Sequence, residues 1–294
     1  MKPLSPLYGI ITAAMLIAPS VTVWAAIRPS IRRAETGLSI GAGMLFQGDT
    51  ECYQGQFLDS NQGTLWTSTV GLQRLSRRDA GLYWRVRLTV AGGRSGNTGN
   101  QALGLPGASG IADRATDLAA RVGIGLDRLW PQPRDSVFIP YLSVGALEWQ
   151  RGGSGDNWVA GPETYSALRT GLGLRYDYAL TPRLVLSLQG AAGYAFAAHI
   201  SARGPISLAA ARGATNDGWV SAAVGTRPYT MFQAGVTCLA GRRWHVTLAV
   251  RRTLWSYRAS NPLPVTGAAP GGTYAIPGAH VTQTAVDLEF ATVF

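Results

Sequence analysis

The sequence predicts an all-β fold: a transmembrane antiparallel up-and-down β-barrel of about ten strands, with eight or twelve still open. Three observations predict it. Apolar and polar residues alternate along most of the chain beyond residue 36, which is the period of a strand with one apolar and one polar face. The links between these segments are alternately short and long. Arginines recur in mid-segment on the face opposite the apolar one.

The N-terminus comes first. Lys2, an apolar run over residues 7–18 and the small residue closing Val23-Trp24-Ala25 make residues 1–25 a secretory signal peptide, cleaved after Ala25. The run falls short of the ~20 apolar residues of a spanning helix. Residues 26–36 read as a periplasmic N-terminal segment, and residues 37–294 as the barrel.

The clearest strand covers residues 82–90. Leu82, Trp84, Val86, Leu88 and Val90 alternate there with Tyr83, Arg85, Arg87 and Thr89. The pattern returns at 118–127, 168–178, 184–198, 244–254 and 286–294, and more weakly at 37–47, 65–75, 137–149 and 229–240. Short links at 76–80, 128–136, 179–183 and 241–243 read as periplasmic turns. Long links at 48–63, 92–115, 150–165, 199–228 and 258–279 read as extracellular loops. Gly123, Gly125, Gly171 and Gly173 sit in mid-strand with no helix after them, so they are places for tight curvature and bulky neighbours, not phosphate loops.

A soluble β-sandwich also alternates. The segments here are longer than the usual five or six residues and match the ~9–11 that cross a bilayer with tilt. Aromatics gather towards segment ends, as interfacial girdles do: Trp84, Tyr178, Trp244 and Phe294 at one end, Phe46, Trp66, Trp149, Trp255 and Tyr257 at the other. A sandwich would place the arginine-bearing face in water; a small barrel encloses it.

The chain carries 26 Lys and Arg against 16 Asp and Glu, a net charge of +10, and Lys2 is its only lysine. Such an excess invites a nucleic-acid reading. Its distribution argues against one. Arg28, Arg32, Arg33, Arg74, Arg77, Arg78, Arg128, Arg134, Arg183, Arg242 and Arg243 gather at the short-turn end. The expected partners there are anionic phospholipid headgroups or cell-wall polymers, and no nucleic acid.

The chain ends Val286-Asp287-Leu288-Glu289-Phe290-Ala291-Thr292-Val293-Phe294. In this ending, and in its strand pattern, it resembles Gram-negative outer-membrane β-barrel proteins, which close on a phenylalanine after alternating apolar residues. The resemblance implies an outer-membrane location among lipid and lipopolysaccharide. It also implies recognition of Leu288, Phe290 and Phe294 by the barrel-assembly machinery. It identifies a superfamily and no particular activity.

Ten-stranded members include the omptin proteases, which use paired aspartates and an Asp-His couple. This sequence has no Asp-Asp pair, and none of His199, His245 and His280 has an aspartate within two positions. His199-Ile200-Ser201 is similar to the His-x-Ser pair of outer-membrane lipid A deacylases, with His199 as base and Ser201 as nucleophile. Ala202 follows where that family has asparagine, and the next acid is Asp217. His245 reads as a hydrogen-bonded lumen residue. Three scattered histidines form no metal set, and no cofactor is expected. Cys52 belongs to the outer end and Cys238 to the periplasmic end, too far apart for a disulfide.

By parity the lumen receives Arg85, Arg87, Arg121, Arg169, Arg175 and Arg251, together with Asp117, Asp127, Glu148, Asp177, Asp287 and Glu289. A barrel of eight to ten strands is about as wide as side chains can fill. Charges so enclosed must pair. The balance predicts an ion-pair network that fills the lumen, whereas a net-positive lining would favour an anion pore. The expected function is non-enzymatic: structural, narrow-channel (porin-like) or surface-binding. The alternative is a deacylase-like hydrolase built on His199 and Ser201.

Overall fold

The computed structural model describes residues 29–53, 56–76, 81–98, 108–126, 135–152, 163–204, 218–261, 263–264, 273–274 and 276–294. The signal peptide and its cleavage point lie outside them.

A short helix α1 (Pro29–Ala34) precedes the strands β1 (Gly37–Tyr53), β2 (Gln56–Leu75), β3 (Leu82–Asn97), β4 (Ala108–Ile124), β5 (Ser136–Arg151), β6 (Glu163–Thr181) and β7 (Leu184–Gly204). Then follow β8 (Gly218–Ala223), β9 (Arg227–Ala240), β10 (Trp244–Tyr257), β11 (Leu263–Pro264), β12 (Thr273–Tyr274) and β13 (Gly278–Thr292). Each barrel strand pairs antiparallel with its neighbours, and pairing of β1 with β13 and of β6 with β7 closes the ring. Ten strand lines form the wall among the described residues. β8 and β9 share one line, since both pair with β7. β11 and β12 form a separate small hairpin.

Every one of the ten lines turns large apolar side chains outward. Examples are Ile40, Val70, Leu88, Leu118, Leu142, Leu172, Leu188, Phe232, Leu248 and Phe290, each at least 40% exposed. An apolar belt running right round the molecule is far larger than the patches water-soluble monomers carry. Hydrocarbon is its solvent, and this separates the barrel from a sandwich. The inward positions between these residues carry the polar and small side chains.

The strands run from 14 to 21 residues, except the short β8, β11 and β12. Much of what the sequence marks as long links is therefore paired strand. Gly48 faces Gln62 and Asp49 faces Asn61, so β1 and β2 continue through most of residues 48–63. Likewise β3 and β4 extend into residues 92–115. The apolar alternation stops at the top of the bilayer, whereas hydrogen bonding between polar segments goes on in the water above it.

At one height the pattern shifts by one residue. Below it, odd residues of β7 face inward: Ser187, Gln189, Ala191 and Ala195. Ala197, at φ 49°, is an extra residue opposite β6, where Ser166 pairs with His199 but Leu168 pairs with Phe196. Above it, Ala198 and Ile200 are buried and His199 is exposed. The adjoining line shifts at the same height, around Gly225 (φ 76°): Tyr229 and Met231 face inward below, Val220, Ala222 and Val224 above.

One mid-strand glycine has a specific task. A Cβ on Gly173 would collide with the Tyr141 ring, which lies across it. Cys52 and Cys238 are both free, at opposite ends of the wall.

Candidate functional site in the lumen

The lumen is a stack of five layers, the first at the short-turn end. The first is α1. Pro29 suits a first helical position, where its missing N–H costs nothing. Ile31 and Ala34 face inward and pack in one buried cluster with Leu75, Tyr83, Val137, Ile139, Val185 and Leu239. Gln73 Nε2 donates to the Ala34 carbonyl (2.9 Å), satisfying one acceptor of the helix end. Arg33 donates to the Gly241 carbonyl, in the turn between β9 and β10. Residues 26–36, expected as a periplasmic segment, therefore contribute from Pro29 onward a stopper seated in the barrel mouth.

The second layer holds the tightest ion pairs. Arg175 binds Asp177 (2.9 Å), Glu35 and Ser187 Oγ (2.9 Å). Arg85 pairs with Glu289 (3.3 Å), and Arg87 with both Asp287 (2.7 Å) and Glu289 (2.9 Å). Glu35, just after the helix and 1% exposed, has its carboxyl pushed up to about 7 by burial, while Arg175 pulls it the other way. His245 is buried at the edge of this layer.

In the third, middle layer, Arg169 binds Asp117 and lies over the Tyr229 ring. Arg121 donates to Gln189 Oε1 (3.2 Å), and Gln189 donates in turn to the Tyr141 hydroxyl (2.5 Å). Arg251 joins them around a cavity of about 40 Å³.

The fourth layer is apolar and aromatic. Tyr165 stacks on Trp255 (4.6 Å between ring centroids) and on Tyr257 (5.3 Å), and Trp149 meets Trp255 edge-on (6.3 Å). Leu45, Leu65, Leu147, Ile200 and Val281 belong to the same buried cluster. This corrects the girdle expected from sequence. Trp149, Trp255 and Tyr257 are each no more than 5% exposed and lie inside the wall, whereas Trp66, Trp244 and Phe294 lie outside it.

The fifth layer, near the outer end, centres on Arg151, which reaches Asp49 (2.9 Å), Glu51 (3.1 Å) and Glu163 (3.3 Å). Its guanidinium lies over the Trp149 ring (4.8 Å to the centroid). Asn61 Nδ2 also donates to Asp49 (2.9 Å).

Of the residues expected in the lumen network, Arg85, Arg87, Arg169, Arg175, Asp177, Asp287 and Glu289 lie inside and form ion pairs. Arg121 lies inside but binds an amide and an aromatic face. Arg251 lines the lumen with no ion pair among the described residues. Asp127 lies outside the described residues. Glu148 is a correction. It is exposed on the outer wall, where Gln150 Nε2 donates to it (2.5 Å). Odd residues face inward along β5, from Tyr141 through Leu147 to Arg151, and this is one of the segments whose alternation is weak in the sequence. Sequence reasoning missed Glu35, Asp49, Glu51, Arg151 and Glu163. A signal was there for four of them. Odd parity in β1 runs on through Gln47, Asp49 and Glu51, in β5 through Leu147, Trp149 and Arg151, and in β6 back from Tyr165 to Glu163.

The His-x-Ser pair also changes. Past the bulge His199 is exposed on the outer wall, and its Nε2 lies 2.9 Å from Ser221 Oγ on the next strand. No described hydrogen bond joins it to Ser201, and no carboxylate orients it among the described residues. His280 is exposed. The described residues hold no cluster of three or more His, Cys, Asp or Glu side chains fit to bind a metal ion.

No protein-family model matches the chain. No curated protein matches it either. Solved structures do. The outer-membrane protease OmpT from Escherichia coli aligns with a TM-score of 0.52 at 8% identity, over 88% of this chain and 97% of that one. The β-domain of the Bordetella autotransporter BrkA aligns at 0.40 and 13% identity, over 88% and 100%. Ail of Yersinia pestis aligns at 0.27 and 10% identity, over 88% and 99%. At such identities the likeness is one of fold. The chain has the fold of an outer-membrane β-barrel, closed and ten-stranded.

Proposed function

We propose that this protein is a non-enzymatic outer-membrane β-barrel of a Gram-negative bacterium, exported by its signal peptide, whose lumen is closed and whose role is structural or surface-binding. The observation that carries this reading is the double closure: α1 with its apolar cluster at one end, and the aromatic layer of Trp149, Tyr165, Trp255 and Tyr257 towards the other. Two spaces that lie between them, among the described residues, are about 20 and about 40 Å³, room for a few waters each. Planar-bilayer recording tests it: the intact protein gives no current steps above background, and regular steps would restore the narrow-channel reading.

The surroundings follow from the two ends. Arg242 and Arg243 are exposed in the turn between β9 and β10 and support contact with anionic headgroups or cell-wall polymers, whereas Arg77 and Arg78 lie outside the described residues. Leu288 and Phe290 on the outer face of β13, with Phe294 beyond it, serve as the signal for the barrel-assembly machinery. Lipopolysaccharide surrounds the outer half.

One observation keeps a hydrolase as a second reading, with a changed nucleophile. His199 on the outer wall is bonded to Ser221, so the base would activate Ser221 and not Ser201. Cells carrying Ser221→Ala and cells carrying the wild type would then differ in lipid A acyl content. Identical lipid A in the two would end this reading.

A further inference from the structure

The middle layer carries positive charge that no acid among the described residues answers. Arginine keeps its proton in any protein environment, so each guanidinium there needs a counter-charge or a full set of acceptors. The acids nearby are committed. Asp117 binds Arg169, Asp287 binds Arg87, and Glu289 is divided between Arg85 and Arg87. That leaves Arg121 and Arg251. Arg121 has one amide oxygen at 3.2 Å and a ring face 5.6 Å away. Arg251 has no hydrogen bond or ion pair among the described residues. The charged groups that act on it are Arg87 and Arg121, which repel it, and Asp117 and Asp287, already engaged.

These two arginines face one cavity of about 40 Å³, which Asp117, Arg169, Ser143, Tyr229 and Thr253 also line. Its one carboxylate, Asp117, is taken by Arg169, and Ser143 and Tyr229 share a hydrogen bond (3.2 Å), so the guanidinium N–H groups of Arg121 and Arg251 are the donors left for an anion. At ~10–15 Å³ per water it holds about three water-sized bodies, too few for an organic ligand. The aromatic layer above and the stopper below keep the site out of bulk solvent, where unpaired charge costs most.

We propose that this cavity binds one small inorganic monoanion, of the size and charge of chloride, between Arg121 and Arg251. The anion is a resident counter-ion of the closed lumen. It completes the charge balance that the side chains leave open.

The test uses the full folded protein in detergent micelles. Crystals soaked in bromide are expected to give an anomalous peak in the cavity beside Arg121 and Arg251. At constant ionic strength, replacing gluconate by chloride is expected to raise the unfolding temperature of the wild type, because a ligand bound only by the folded state stabilises it. That rise is lost in Arg251→Met, which keeps an unbranched apolar stem and removes the charge. Arg121→Met serves if the first variant does not fold. Arg252→Met, on the outer face of β10, keeps the chloride response. An empty cavity in the bromide crystals, with equal unfolding temperatures of the wild type in chloride and gluconate, overturns the proposal.

Discussion

The two ends of the lumen are closed in different ways. The periplasmic end is closed by a separate piece of chain, α1, held by Ile31 in an apolar cluster and by Glu35 on Arg175. The outer half is closed by the wall itself, through rings carried on β5, β6 and β10. A stopper on a tether can leave while the hydrogen-bonded cylinder stays whole. A stopper made of strand residues cannot leave; it can only be cut away by mutation. The comparison teaches where this barrel could open: at the periplasmic mouth, and only as far as the aromatic layer.

The largest effect of removing a single charge should come from the side chain that joins stopper to wall. Arg175→Met leaves Asp177 and Glu35 buried without their cation. A loss of about 3–5 kcal/mol is expected, read from urea unfolding of the refolded barrel. A loss below ~1 kcal/mol would mean that the helix is not held from the wall.

Next is the conductance of a doubly opened barrel. Removing residues 29–35 alone should leave bilayers silent. Adding Trp149→Ala and Trp255→Ala should produce current steps, at a stability cost of about 3–5 kcal/mol for each truncated ring. Steps from the helix deletion alone would show that the aromatic layer does not seal.

A smaller effect, and one that depends on pH, attaches to Glu35. Its carboxyl is raised to about 7 by burial, so the docked state prefers it protonated. The contribution of that proton to docking is complete below the ordinary value of 4.5 and is lost as pH rises through about 7. With the base-catalysed intrinsic rate divided out, the exchange protection of residues 30–35 should therefore fall between pH 5 and 8, by up to about 3 kcal/mol of local stability at ~1.4 kcal/mol per pKa unit. Glu35→Gln should flatten the profile. A profile of opposite slope would mean that the Arg175 ion pair outweighs burial.

The smallest effect is a control on which face is which. Glu148→Gln on the outer wall should leave stability within about 0.5 kcal/mol, whereas Asp287→Asn, which takes the charge from the partner of Arg87, should cost several times more. Equal losses would return Glu148 to the lumen.

How much of this was legible in the sequence differs with depth in the membrane. Across the bilayer, period-two alternation is enforced by two unlike solvents, and the mid-strand arginines of β3, β4, β6 and β10 stood out against it. Above the bilayer the outer face meets water, and the inner face mixes apolar, aromatic and charged side chains. Apolar contrast fades there, and Asp49, Glu51, Arg151 and Glu163 read as loop although their parity still ran true. Glu35 was invisible for another reason. Its place depends on a helix of six residues folding back into the mouth, a contact between segments that no local pattern encodes. The aromatics misled because Trp149, Trp255 and Tyr257 stand at strand ends, as girdle residues do, and only their odd numbers said that they point in.

The bulge at Ala197 works like a shifted reading frame. Elsewhere in β7, losing one residue would turn every following side chain to the wrong solvent. Here the shift is already present, and the neighbouring line shifts with it around Gly225. A paired deletion of Ala197 and Gly225 would let the two strands run straight, with Ile200 still inside and His199 still on the outer face. The wall thus contains a joint between its membrane-embedded part and its outer extension. At that joint the chain can lengthen or shorten without rewriting either side.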